Sequence, residues 1–158
     1  MSFARVKLAA AALLFFGWLG WLGLAVWSKG TVQIVSRAQL TAATHLVVAE
    51  VSAGPDGQPL PRVTVTDVLL APDGDRPSGE LDVEKLPAAV TPLPAGGASR
   101  TPPAGTYLIP LVRTDAGRFR VAGLPASPGY PAAYPDRPRI YPWTADVQAQ
   151  LRKMGLLP

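Results

Sequence analysis

Residues 45 to 70 read HLVVAEVSAGPDGQPLPRVTVTDVLL, and the spacing of apolar side chains along this stretch decides the fold. His45 to Ala53 predicts a strand apolar on both faces, as a central or barrel strand is, and Gly54-Pro55-Asp56-Gly57 ends it. Arg62 to Leu70 predicts a second strand. Its inward series Val63, Val65 resumes at Val68 and Leu70, and that step of three predicts a β-bulge near Thr66 and Asp67. Bulges bend strands, and bent strands close small barrels.

Three further strands follow downstream. Beyond the turn Ala71-Pro72-Asp73-Gly74-Asp75, Gly79 to Leu86 alternates, with Glu80, Asp82 and Glu84 on one face and Leu81 and Val83 on the other. Residues 87 to 105 are rich in Pro, Ala and Gly without an apolar period, which predicts a mobile loop. Thr106 to Arg113 is the fourth strand, and Pro110, which has no N–H to donate, places it at a sheet edge or at a bulge. Thr114-Asp115-Ala116-Gly117 closes a hairpin onto Arg118 to Val121, with Phe119 and Val121 inward. Five short strands, one of them bent, predict a small antiparallel barrel, because closure removes exposed edges.

Upstream, Ser36 to Ala43 predicts a short helix with Ser36 as N-cap. A short helix, then ATHLVVAEV, RVTVTDVLL, GTYLIPL and FRVAG in that order resembles the OB-type barrel of netrin and tissue-inhibitor-of-metalloproteinase-like domains, over about residues 36 to 123. The resemblance implies a mainly β, OB-like fold. Those inhibitors act through an N-terminal cysteine that chelates the protease zinc, whereas this chain has no cysteine, so the resemblance supports the fold more than an inhibitor-like activity.

The C-terminal part departs from that pattern. Pro125, Pro128, Pro131, Pro135, Pro138 and Pro142 interleave with Tyr130, Tyr134, Tyr141 and Trp143, which predicts an extended polyproline strap. The strap either docks a partner or packs over the chain's own barrel. In the first case Tyr130, Tyr134, Pro135, Arg137, Pro138, Tyr141 and Trp143 carry the contact. Thr144 caps a final helix to Met154, with Val147, Leu151 and Met154 on one face and Gly155 ending it.

The N-terminal part places all of this. Leu8 to Trp27 is a run of 20 residues without a charge, framed by Arg5 and Lys7 before it and Lys29 after it. At about 1.5 Å of rise per residue such a run covers the roughly 30 Å of a bilayer's hydrocarbon. Arg5, Lys7, Trp27 and Lys29 are the expected membrane-interface residues, and the basic N-terminal cluster keeps the N-terminus cytoplasmic. The length favours a retained anchor over a cleaved signal peptide, although Ser28-Lys29-Gly30 satisfies the small-x-small cleavage rule.

The expected organisation is a cytoplasmic segment 1–7, a signal-anchor helix 8–28, a linker and short helix 29–44, the barrel 45–123, and a strap with a terminal helix 124–158. The domain is then periplasmic and held close to the membrane.

Charge and chemistry narrow the function classes. Residues 50–84 hold eight acidic and two basic side chains, against three and nine in 85–158, which makes the domain dipolar. The basic residues are not clustered on a recognition helix or a stacking platform, so nucleic acid is not an expected partner. His45 is the one histidine, which rules out a multi-histidine metal site and leaves it as the sole base for a hydroxyl-based triad. The carboxylates of Glu80, Asp82 and Glu84 lie about 6–7 Å apart along a strand, too far to converge on one cation. No catalytic, cofactor-binding or metal-ligating set is expected.

The function read here is a single-pass, membrane-anchored binding or accessory module, whose partners are the bilayer and another membrane or envelope protein. A cofactor-independent hydrolase using His45 and an inhibitor-like domain are the alternatives.

Overall fold

In the computed structural model, which describes residues 3–28, 34–92, 99–123 and 137–158, β1 (His45–Ala53) is paired on both edges. On one side it pairs antiparallel with β2 (Pro59–Leu70), and on the other with β4 (Gly105–Arg113). β2 continues to β3 (Gly79–Glu84), β3 to β5 (Phe119–Val121), and β5 returns to β4, so five strands close into a barrel. One pairing departs from the expected antiparallel barrel: β3 and β5 run parallel, with Val83 beside Phe119 and Glu84 beside Arg120.

The bulge lies where the valine spacing places it. Val48 pairs with Asp67 and Ala49 with Val65, which leaves Thr66 as the extra residue. The Thr66 hydroxyl donates to the Val48 carbonyl at 3.0 Å across the interrupted ladder. A second slip leaves Leu69 extra between Val68 and Leu70. Val63, Val65 and Val68 pack with the barrel interior, whereas Leu70 leaves that series and is 41 % exposed.

The two apolar faces of β1 serve two cores. Val47, Ala49 and Val51 point into the barrel with Val63, Val83, Ile109 and Phe119. Leu46 faces outward and packs with Leu108, Val35, Leu40, Tyr141, Val147 and Leu151. The outer core is covered by α2 (Arg37–Ala42), the two-residue strand β6 (Tyr141–Pro142) on β4, and α3 (Ala145–Lys153). The Ser36 hydroxyl caps α2 by accepting from Gln39 N, and the Thr144 hydroxyl caps α3 by accepting from Val147 N. Gly155 takes φ +73° just beyond α3, a left-handed conformation that glycine adopts without strain.

Two expectations about β4 and its preceding loop need correction. β4 is not an edge strand, since it pairs with β1, β5 and β6. Pro110 is tolerated there because it sits where the β5 ladder stops, with its carbonyl accepting from Ala122 N at 2.8 Å. The flanks of the 87–105 loop carry local structure that the lack of an apolar period does not suggest. Leu86–Ala88 forms a 3-10 turn, Val90 bridges Arg139 and Thr91 bridges Arg100. Burial of Ala89, Val90 and Thr91 holds this segment against the barrel.

α1 (Phe3–Ser28) falls in a separate unit, Met1–Val32, apart from Gln33–Pro158. Its described large apolar side chains other than the half-buried Leu22 are exposed, Leu13 and Leu14 each by 76 %. Among the described residues no helix is long and apolar enough to cross a membrane.

Candidate binding groove

Leu46 and Leu70 are register partners at one end of the β1–β2 ladder, beneath α2 and the turn that follows α3. Together with Leu40, Met154 and Leu156 they form the apolar floor of an open groove of about 490 Å³. That volume lies within the range of small-molecule sites. Arg37 and Lys153 stand at its edge, and no acidic side chain lines it. Both cations are exposed, and neither side chain has a hydrogen-bond or ion-pair partner among the described residues.

A buried polar network fixes the two walls. Gln39 is fully buried, and its amide donates to the carbonyls of Ala122 at 2.8 Å and Arg139 at 2.9 Å. The Tyr141 hydroxyl donates to Gln39 Oε1 and accepts from Ser36 N at 3.2 Å. Burial pushes the Tyr141 phenol above its usual range, a shift that the Ser36 hydrogen bond and the charge of Arg139 partly offset. Gln150 Oε1 accepts from Ile34 N and Val35 N, each at 3.1 Å, and so ties α3 to the segment entering α2. Arg37 and Lys153 are thus carried on elements joined by buried and partly buried hydrogen bonds.

His45 sits in a second polar cluster on another part of the barrel. Its Nδ1 lies 2.8 Å from Thr44 Oγ1, and its Nε2 lies 3.1 Å from the Asp75 carbonyl oxygen and 3.3 Å from Asp75 Oδ2. Arg113 pairs with the same carboxylate oxygen and lies over the Phe119 ring, which meets the imidazole edge-on at 5.0 Å. A hydroxyl, an imidazole and a carboxylate are therefore aligned. The imidazole is only 1 % exposed, whereas the Asp75 side chain is 30 % exposed and Thr44 is exposed, so solvent reaches the set at both ends but not at its centre.

The acidic face of β3 is neutralised locally. Arg62 on β2 reaches Glu80 at 3.5 Å and Asp82 at 3.3 Å, and Arg118 reaches Glu84 at 2.8 Å. The hydrogen bond to Asp82, followed by the charges of Asp82 and Glu80, raises the Arg62 pKa. Among the described residues no group of three or more His, Cys, Asp or Glu side chains could hold a metal ion.

The strap residues predicted to contact a partner divide into three kinds. Pro138 and Tyr141 are buried within the chain's own fold, Arg137 is exposed, and Trp143 is half-buried against the outer core. Tyr130, Tyr134 and Pro135 lie outside the described residues, as do Lys29 and the side chains of Arg5 and Trp27; Lys7 is exposed. The groove was not legible in the sequence, because its residues come from positions 37–46, 70 and 153–156, which only the closed barrel brings together. The one local signal was an outward leucine, Leu46, at the start of a strand whose outer face needed a cover.

Neither family models, nor curated proteins, nor solved structures give a match to this chain.

Proposed function

We propose that the chain is a single-pass, membrane-anchored binding or accessory module, with an OB-like barrel presented on the extracytoplasmic side and its binding surface in the groove beside α2 and α3. The observation that carries the binding role is the groove itself: an apolar floor left open, with two cations beside it whose side chains have no partner among the described residues. An OB-like reading is supported by the strand circuit β1-β2-β3-β5-β4-β1.

Anchoring is supported by the uncharged run Leu8–Trp27, which lies wholly within helix α1, and by large apolar side chains exposed along the described part of that helix. A helix apolar on all sides has no polar face to turn to water, and lipid satisfies it.

Alkaline carbonate extraction of membranes carrying the full chain tests the anchor, and protease accessibility in right-side-out and inverted vesicles tests the orientation. Retention in the pellet with cleavage of the barrel only from the outer side supports the reading. Release into the supernatant overturns it.

The alignment of Thr44, His45 and Asp75 favours a second reading, a hydrolase in which His45 takes the proton of the Thr44 hydroxyl. Labelling of Thr44 by a fluorophosphonate, lost in His45→Gln, is the result that supports it. An unlabelled Thr44 removes it.

A further inference from the structure

The groove's chemistry narrows what it takes, and this inference rests on the membrane-anchored reading above. Its floor is made of leucine and methionine side chains, and Leu70 remains 41 % exposed although it belongs to a strand of the closed barrel. Exposed apolar surface in a concavity favours an alkyl chain over a polar ligand. Its charged residues are both cations, Arg37 and Lys153, without a carboxylate partner among the described residues. A ligand that satisfies both halves carries an acyl chain joined to an anionic head. In the chain, five residues, 29–33, separate the last residue of α1 from Ile34, so a bilayer holding α1 would be the nearest source of such molecules.

We infer that the groove binds one anionic phospholipid, with an acyl chain along Leu70, Met154 and Leu156, over the buried Leu40 and Leu46, and the phosphate between Arg37 and Lys153. Basic pockets recognise lipid phosphates through such side chains. The inferred specificity is for the headgroup's negative charge, because the apolar floor accepts any acyl chain.

The test uses the full chain reconstituted in vesicles of phosphatidylcholine that contain either a phosphatidylglycerol or a phosphatidylcholine probe with a photoreactive acyl chain, followed by mapping of the labelled peptides. Labelling at Leu70, Met154 or Leu156 by the anionic probe is expected, and it should fall roughly ten- to thirty-fold with Arg37→Gln/Lys153→Gln. Both positions are exposed, so the double variant keeps the fold, and circular dichroism checks that it does. Equal groove labelling by the neutral probe, or labelling unchanged in the double variant, overturns the inference.

Labels confined to Leu8–Trp27 overturn the groove's role while leaving the anchor intact. Labels in the groove without labels in Leu8–Trp27 overturn the anchor instead.

Discussion

The side-chain amide of Gln39 stands in for the backbone N–H that Pro110 lacks. Ala122 N donates to the Pro110 carbonyl at 2.8 Å, so an ordinary residue at 110 would return a bond to the Ala122 carbonyl. Proline cannot, and Gln39 Nε2 occupies that acceptor from outside the barrel at 2.8 Å. The same amide reaches the Arg139 carbonyl, so a deficiency in one strand becomes the attachment point for α2 and the C-terminal segment.

Gln39→Leu is therefore expected to destabilise the fold by about 2–4 kcal/mol, since it leaves one buried carbonyl, one partly buried carbonyl and the Tyr141 hydroxyl short of partners. Pro110→Ala alone should cost about 0.4–1 kcal/mol through the freer unfolded chain. In the Gln39→Leu background the same change should restore about 1 kcal/mol, because an alanine in place of the proline supplies the missing backbone donor. Denaturant unfolding of the four proteins in neutral detergent gives the coupling. Additive effects would show that Gln39 and Pro110 are independent.

Tyr141 makes the fold sensitive to alkali. Its phenol titrates above the usual 10.0 in the folded state because of burial, while in the unfolded chain it ionises near that value. The stability it contributes is whole below pH 10 and is lost as pH rises toward the folded value. Tyr141→Phe should cost about 1–2 kcal/mol at neutral pH and flatten the alkaline decline. Part of the decline should remain, since burial also raises Tyr107. Thermal midpoints between about pH 8 and about pH 11 check the sign.

His45 joins the start of β1 to the β2–β3 turn through Asp75. Its replacement by Ala should destabilise by about 2–4 kcal/mol, from the void left against Phe119 and the lost polar partners. The effect should be local as well as global. Hydrogen exchange at the Asp75 amide, which donates to the Pro72 carbonyl at 3.1 Å, should accelerate more than exchange in β4.

The Thr91 hydroxyl is buried without a hydrogen-bond partner among the described residues. Thr91→Val keeps the shape and removes the unpaired group, so stability should stay level or rise by about 1 kcal/mol. A drop of similar size in thermal unfolding would mean that the hydroxyl has a partner.

Local pattern carried much of this fold. The β1 bounds, the slip near Thr66 and the caps at Ser36 and Thr144 could be read because each depends on residues within one turn or one strand. β6 could not, since Tyr141 lies among prolines that suit a polyproline strap, and its strand character comes from the edge of β4 offered by a closed barrel. Ile140 and Tyr141 are both fully buried, so that part of the strap is core.

The order of apolar and polar residues by itself determined five strands, the bend in one of them, two capped helices and an uncharged N-terminal run, because strand and helix periods are short-range properties of the chain. Tertiary structure alone decided that β3 meets β5 in parallel, that Gln39 completes the ladder at Pro110, and that Arg37, Leu70 and Lys153 share one groove. Those relationships join residues up to 116 positions apart, from Arg37 to Lys153. No local period encodes them, and they arise when closing the barrel leaves the outer face of β1 and β4 to be covered.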